Sequence, residues 1–368
     1  MHSLRASIWL RLGLVAALGG PGCAAEHVIG AAGLLAPEPL AALPLGALAT
    51  ADLDGDGHLD VVGSDGTRLC VLRGLGGGTL APAACQPLPG PAPTALAARP
   101  PGRSGATAHP GGAVLVGQAL TLWSWQGDRL APGTSFVLRG PGQAVLSADL
   151  DGDGLFDVAV AEAAADGGHV ALFRAAAGDA LAAPVRYDVG DPPSALLYQD
   201  LDGDRVPELY TTSRAARTLA AIGPSARGAF EGCDRPVLSD PRGLAATAGH
   251  LLVLDGDELL ALRVRSGPRL DCGVDAGSRL ALAPSALALL GLDLDGDGDN
   301  DAVVVHGRPA ALSLFRSSAD ALVATPVRSL PAEPLAAVLG DLDGDGRTDV
   351  LLATPDGLVV LRAAPTEP

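Results

Sequence analysis

DLDGDGHLDVV, at residues 52–62, is the stretch that decides the architecture of this chain. Four related stretches follow it: DLDGDGLFDVA from Asp149, DLDGDRVPELY from Asp200, DLDGDGDNDAV from Asp293 and DLDGDGRTDVL from Asp341. Each is a nine-residue acidic loop that continues into a short, mostly apolar run, which predicts a buried β-strand. The chain therefore repeats one unit, a loop followed by a strand.

The carboxylates of these loops predict bound divalent cations. Positions 1, 3 and 5 are Asp in every copy, and position 9 is Asp or Glu. Four carboxylates within nine residues repel one another unless a hard cation with oxygen ligands neutralises them. Position 7 varies, as expected where the backbone carbonyl is the ligand. The expected ligand residues are Asp52, Asp54, Asp56, His58 and Asp60; Asp149, Asp151, Asp153, Leu155 and Asp157; Asp200, Asp202, Asp204, Val206 and Glu208; Asp293, Asp295, Asp297, Asp299 and Asp301; and Asp341, Asp343, Asp345, Arg347 and Asp349.

Calcium suits this ligand set better than magnesium, which requires a near-ideal octahedron and retains its waters. We expect up to five ions; the alternative, a solvated acidic turn without an ion, is disfavoured by five matching copies. An EF-hand or dockerin loop would need an acid at position 12 and a following helix. Neither is present, because strands follow and position 12 is Gly63, Val160, Thr211, Val304 or Leu352.

The third loop is the weakest candidate site. Position 6 is Gly in four copies, which permits a positive φ, but it is Arg205 in the third. A left-handed backbone at a residue with a Cβ costs roughly 1 kcal/mol. Leu at position 2 is invariant and is expected to point away from the ion into a core.

The spacing of the loops predicts the number of repeats. The loops begin at residues 52, 149, 200, 293 and 341, so the intervals are 97, 51, 93 and 48 residues. Each long interval contains one repeat without an acidic loop, near Ala95 and near Leu244. Seven repeats of about 45 to 50 residues predict an all-β fold, a seven-bladed β-propeller with four-stranded antiparallel blades.

The two chain ends are expected to share a blade. Pro37 and Pro326 each precede an acidic loop by fifteen residues, but the last repeat ends near Leu361 after only three strands. Residues 34–43 should therefore supply the fourth strand of the last blade and cover its edge. The propeller is expected to span residues 33–363, followed by a tail at 364–368.

Two features identify a family resemblance: DxDGDGxxD loops between first and second strands, and the pattern VALFRAAAGDALAAPVRY at residues 170–187. Over residues 33–362 the chain resembles the FG-GAP/VCBS repeat family, which is related to the β-propeller of integrin α-subunits. The resemblance implies a seven-bladed propeller with calcium on one face and, in several members, partner binding on the other. Blades two and five lack the acidic loop, so no calcium is expected there.

The net charge of −17 reflects the loops more than a charged surface. The loops hold 20 of the 42 acidic side chains, and the remaining 22 are balanced by 25 arginines. Five bound Ca²⁺ ions would bring the net charge to about −7. Nucleic acid is an unexpected partner, because no basic stripe with interleaved aromatic residues is present.

The amino terminus resembles a bacterial lipoprotein signal. Arg5 and Arg11 flank an apolar run at residues 12–18, and small residues precede Cys23. We expect residues 1–23 to be the signal, with Cys23 acylated, and residues 24–32 to be a tether. The alternative is ordinary cleavage near Ala25 and secretion. Either predicts export to the periplasm, the outer membrane or the cell surface, and no later stretch could span a membrane.

Four further cysteines suggest two disulfides in an oxidising compartment. Cys70 with Cys85 is favoured among three pairings, because the two lie on successive strands of one repeat. Cys233 with Cys272 then follows by subtraction. Free buried thiols are the alternative.

Catalytic motifs are absent from the sequence. The seven histidines form no HxH or HExxH spacing, and no Ser lies in a GxSxG setting. Asp255, Asp257 and Glu258 could act as a glycosidase pair, but they are expected to lie in the degenerate fifth loop, as a turn. Trp123 and Trp125 could stack on a sugar, although packing between blades is the favoured role.

The sequence thus predicts an exported, monomeric, calcium-stabilised propeller that binds a protein or carbohydrate ligand or acts as a scaffold in the cell envelope. The calcium is expected to be structural. The alternatives are a carbohydrate-active hydrolase or lyase and a component of a larger surface assembly.

Overall fold

The computed structural model describes residues 33–88, 90–99, 110–176, 180–201, 203–224, 230–236, 238–247, 250–264, 274–275, 279–318 and 321–365. The described residues do not include the signal segment with Cys23, nor Asp202 and Cys272. The side chain of Cys233 is also outside them. The described part of the chain consists of β-strands and their connections. No helix long and apolar enough to cross a membrane is found in these ranges.

The first three blades follow β1 (Glu38–Ala41) along the chain. Blade one contains β2 (Ala47–Ala51), β3 (Asp60–Ser64), β4 (Arg68–Leu72) and β5 (Ala84–Pro87). Blade two contains β6 (Ala95–Arg99), β7 (Gly111–Val116), β8 (Ala119–Trp125) and β9 (Leu130–Val137). Blade three contains β10 (Gly142–Ala148), β11 (Asp157–Ala164), β12 (Gly167–Phe173) and β15 (Val185–Val189), with a small ribbon of β13 (Ala175–Ala176) and β14 (Ala180–Leu181).

The remaining four blades complete the ring. Blade four contains β16 (Pro193–Gln199), β17 (Glu208–Ser213), β18 (Thr218–Pro224) and β19 (Phe230–Pro236). Blade five contains β20 (Pro241–Thr247), β21 (His250–Asp255), β22 (Glu258–Val264), β23 (Val274–Asp275) and β24 (Arg279–Ala281). Blade six contains β25 (Ala286–Leu292), β26 (Asp301–His306), β27 (Ala311–Ser318), β28 (Ala321–Ala324) and β29 (Arg328–Ser329). Blade seven contains β30 (Ala336–Gly340), β31 (Asp349–Thr354), β32 (Gly357–Leu361) and β1.

The seven-bladed architecture predicted from loop spacing is confirmed. The first strand of each blade contacts the first strand of the next, and β30 contacts β2, so the ring is closed. Closure by the N-terminal strand is also confirmed, since β1 pairs antiparallel with β32. The four-stranded prediction needs one refinement: in blades five and six the outer edge is formed by two short strands, β23 with β24 and β28 with β29.

Apolar residues on neighbouring blades form seven buried clusters, one at each junction between blades. The second strands are buried along their whole length in several blades, as in DAVVVH of β26, which explains their continuous apolar character. The invariant Leu at position 2 of each loop lies in these clusters. Trp123 and Trp125 pack between blades one and two, as favoured by the sequence.

The acidic loops all connect a first strand to a second strand, so they lie at one face of the ring. The tight hairpins between second and third strands lie at the other face. Asp255, Asp257 and Glu258 belong to such a hairpin, between β21 and β22. Their predicted placement in the fifth loop is therefore wrong, because that connection follows β20 instead.

Cys70 and Cys85 are directly opposite each other on β4 and β5 and form a disulfide. This bond joins the third strand of blade one to its outer strand. The disulfide therefore fixes the outer strand of blade one, which lies next to blade seven, where the two chain ends meet.

Candidate metal centres

The Asp at position 1 organises the turn of each loop. One of its carboxylate oxygens accepts a hydrogen bond from the backbone nitrogen of position 4 at 2.6 to 2.8 Å. The other oxygen accepts from the backbone nitrogen of position 6 at 2.8 to 3.0 Å. The position 1 residues are Asp52, Asp149, Asp200, Asp293 and Asp341. The side chain thus caps its own loop, as Asp commonly does in turns.

Position 5 extends this pattern of local hydrogen bonds. Its carboxylate accepts from the backbone nitrogen of position 7 at 2.8 to 2.9 Å in every loop. The position 7 residues His58, Leu155, Val206, Asp299 and Arg347 therefore have their N–H groups directed back into the loop. A ligand role for their carbonyl oxygens stays a prediction.

Positive φ angles allow the chain to fold around the carboxylates. In the first loop Gly55 and Gly57 have φ values of 77° and 87°. Arg205 adopts the same conformation in the third loop, with φ of 70°, and its nitrogen still bonds to Asp200 at 2.8 Å. The third loop therefore keeps the common geometry at the cost of a left-handed residue that carries a Cβ.

The position 9 carboxylate connects the loop to the rest of its blade. In four blades one oxygen accepts from the backbone nitrogen of position 2, at 2.9 to 3.2 Å. The other accepts from a backbone nitrogen at or just beyond the end of the third strand, at 2.6 to 2.9 Å. We call this contact the strand-end latch; its donors are Gly74, Ala175, Ser317 and Ala363.

The latch carboxylates are buried and ionise with difficulty without a cation. Each of these four residues is at most 1% exposed: Asp60, Asp157, Asp301 and Asp349. Burial raises the pKa of all four to about 6, and the latch hydrogen bonds only partly offset that rise. Neighbouring loop carboxylates raise the pKa further by repulsion. A bound cation would lower these pKa values again, because a nearby positive charge favours the ionised form of a carboxyl group.

Carboxylate oxygens converge in four of the loops. In each loop three Asp side chains offer oxygens that all lie within 4.8 Å of one another. The groups are Asp52, Asp54 and Asp60; Asp149, Asp151 and Asp153; Asp293, Asp295 and Asp297; and Asp341, Asp343 and Asp349. Such all-oxygen donor sets fit a calcium ion rather than zinc or copper.

The third loop is described only in part. Asp200, Asp204 and Glu208 lie in the described chain, but Asp202 does not. Glu208 also differs from the other position 9 residues, since one of its oxygens accepts a hydrogen bond from the Tyr210 hydroxyl at 3.2 Å. The convergence of this loop stays a prediction.

A second set of buried polar residues lies at the opposite face and was not predicted. Each residue lies at or near the end of a second strand and bonds to the backbone of the segment that enters its blade. Glu162 accepts from the nitrogen of Arg139 at 2.9 Å. Asp255 accepts from the nitrogens of Ser239 and Asp240 at 2.8 and 2.6 Å. These contacts tie neighbouring blades together, so the polar ends of the second strands are structural at both faces.

Solved structures with similar folds show the same architecture. A chain in the crystal structure of BBS1N in complex with ARL6DN, soaked with lead, has a TM-score of 0.66 at 19% identity; the match covers 93% of this chain and 99% of that one. A protein from Lactobacillus plantarum has a TM-score of 0.60 at 15% identity, over 79% and 86% of the two chains. A chain of the Mitotic Checkpoint Complex has a TM-score of 0.63 at 9% identity, over 95% and 99%. At these identities the likeness concerns the fold alone.

No curated protein matches the chain in sequence. The family model of the FG-GAP-like repeat matches residues 293–352, which run from the fourth acidic loop into the second strand of blade seven. The same loop recurs in three further blades of the ring. The match, the acidic loop shared by three further blades and the seven-bladed ring together support an FG-GAP repeat β-propeller.

Proposed function

We propose that this protein is an exported calcium-binding propeller that acts as a binding or scaffold module of the cell envelope. The observation that carries the proposal is the convergence of three carboxylates at the same place in four blades. Convergent carboxylates in the metal-free chain are mutually repulsive, and a divalent cation removes that repulsion. The proposed role of the ion is structural.

The residues of each loop divide this structural role between them. The carboxylate of position 1 fixes the turn. The buried carboxylate of position 9 forms the strand-end latch and so joins the loop to the end of the third strand. A bound calcium ion supplies the positive charge that keeps position 9 ionised in its buried setting. The loop then holds the first, second and third strands of its blade in one arrangement.

Chains of similar fold occur within multi-protein complexes, and a role in assembly is therefore part of the proposal. Two of them come from multi-protein complexes, that of BBS1N with ARL6DN and the Mitotic Checkpoint Complex. A rigid ring with calcium loops at one face leaves the opposite face for a protein or carbohydrate ligand. Screening for retention of purified envelope proteins and polysaccharides on the immobilised propeller tests this part; no retention with calcium present would count against it.

Thermal unfolding tests the calcium part. If free calcium is about 1000-fold above the dissociation constant, each ion contributes roughly 4 kcal/mol to stability. We therefore expect EDTA to lower the Tm by at least about 10 °C. Calcium should restore the Tm and magnesium at equal concentration should not. A Tm that is insensitive to EDTA would refute the proposal.

Export through the lipoprotein-like segment is tested separately. Labelled palmitate should be incorporated into the full chain expressed in a bacterium and not into a Cys23→Ala variant. Label in neither protein, with the mature chain beginning near residue 25, would indicate ordinary secretion. Retention of both proteins in the cytoplasm would refute export.

A further inference from the structure

Three acidic loops carry an arginine partner from their own blade. In each, a guanidinium nitrogen lies against one oxygen of the position 3 Asp. The pairs and their N–O distances are Arg73 with Asp54 at 3.3 Å, Arg174 with Asp151 at 2.9 Å and Arg362 with Asp343 at 2.9 Å. The other oxygen of the same Asp accepts the backbone nitrogen of position 5 at 3.2 to 3.3 Å.

The position of these arginines is set by the strand-end latch. Each arginine directly precedes the residue whose backbone nitrogen donates to the position 9 carboxylate. For example, Ala175 bonds to Asp157 at 2.6 Å, and Arg174 next to it reaches Asp151. The latch therefore brings a positive charge to the carboxylate cluster from outside the loop.

In blade six, which carries the fourth loop, Arg316 likewise directly precedes the latch donor, Ser317, whereas the third loop has no such arginine. In blade four the equivalent position is Gly223, because Ile222 pairs with Leu209 as Phe173 pairs with Val158. The third loop thus has no arginine at this position.

We propose that these strand-end arginines are internal counter-cations that set the calcium affinity of their loops. The inference rests on the calcium-binding function proposed above. Each arginine reduces the effective charge of four carboxylates by one, which stabilises the metal-free loop. The same charge repels an incoming Ca²⁺ ion, so the loop binds calcium more weakly than its carboxylates alone would.

A matched pair of double variants of the full chain tests this proposal. Arg73→Gln with Arg174→Gln removes two counter-cations. Arg68→Gln with Arg139→Gln is the control, since these arginines lie at the opposite face of the same blades and pair there with Asp65 and Asp166. Both variants lose the same net charge and have arginines of similar exposure. Calcium titration in competition with a chelator measures affinity, and melting in EDTA measures the metal-free state.

The expected result is a dissociation constant about two- to twentyfold lower for two sites of the first variant, the range for loss of one nearby charge. Its Tm in EDTA should fall, whereas the control changes neither value. Arg73→Lys with Arg174→Lys keeps the charge and should bind calcium as the wild type does. Unchanged or weaker binding by the glutamine variant overturns the inference while calcium binding itself stands. A wild-type chain that binds no calcium overturns the proposed function and this inference together.

Discussion

The carboxylate of Asp349 accepts a hydrogen bond from the backbone nitrogen of Ala363 at 2.9 Å. Its second oxygen accepts from the nitrogen of Leu342 at 3.1 Å. Ala363 in turn forms a β-bridge with Leu34, just ahead of the strand that closes the ring. One buried carboxyl group therefore links the last acidic loop to the junction of the two chain ends.

Replacing Asp349 with Ala should destabilise the propeller. The change leaves two buried backbone N–H groups without their acceptor, and each such group costs about 1 to 3 kcal/mol. We expect the free energy of unfolding in EDTA, where no ion contributes, to fall by about 2 to 6 kcal/mol for the two groups together. Urea denaturation followed by circular dichroism measures it.

Asp356→Ala provides the control for charge, because Asp356 is exposed in the β31–β32 hairpin of the same blade. Its effect should stay within about 0.5 kcal/mol. Equal losses in the two variants would show that the latch adds nothing beyond the charge of the side chain.

The sequence predicted the blade count and the closure because both follow from spacing. Two intervals of 97 and 93 residues indicated hidden repeats, and Pro37 matched Pro326 in position before a loop. Spacing also identified the candidate ligands, since they lie within nine residues of one another. Local patterns of this kind require no knowledge of strand register.

The strand-end arginines could have been found from a weaker signal. Each follows two apolar residues at or near the end of a third strand: Arg73, Arg174, Arg316 and Arg362. Their distance in sequence from the loop varies with the hairpin between, so only the strand register places them at position 3. The buried polar residues of the opposite face differ in type, as Glu162, Asp255 and His306 show, and no shared motif marks them.

Acidification should weaken calcium binding. In the metal-free folded chain the latch carboxylates have pKa values of about 6, above the ordinary value of 3.8 that applies when unfolded. Lowering the pH through 6 therefore protonates the folded form first, which stabilises the metal-free protein and makes protons compete with calcium. We expect the increase in Tm on adding calcium to shrink between about pH 7 and pH 5. An increase that stays constant over this range would contradict the assignment of position 9 as a ligand.

His306 should act on stability in the opposite direction. It is fully buried, with Nε2 at 2.9 Å from the Ser313 hydroxyl, and burial lowers its pKa below the ordinary 6.5. The unfolded chain therefore binds a proton below about pH 6.5 that the folded chain resists, so stability is lost as the pH falls. A His306→Gln variant in saturating calcium should lose less stability than the wild type between about pH 7.5 and pH 5.5. His250→Gln, at a partly exposed site, is the control; parallel pH profiles for all three proteins would disprove the role of His306.

Arg205→Gly should stabilise the protein even though it removes a side chain. The backbone of Arg205 has φ of 70°, a conformation that costs a residue with a Cβ about 1 to 2 kcal/mol. Glycine relieves this strain but gains freedom in the unfolded chain, so the expected net gain is about 0.5 to 1 kcal/mol. Arg205→Ala removes the same charge and keeps the Cβ, and it should give no gain.

Denaturant unfolding of the three proteins in EDTA, where no ion contributes, measures the difference. Equal stability of the glycine and alanine variants would mean that the third loop relaxes its turn and does not share the geometry of the other four.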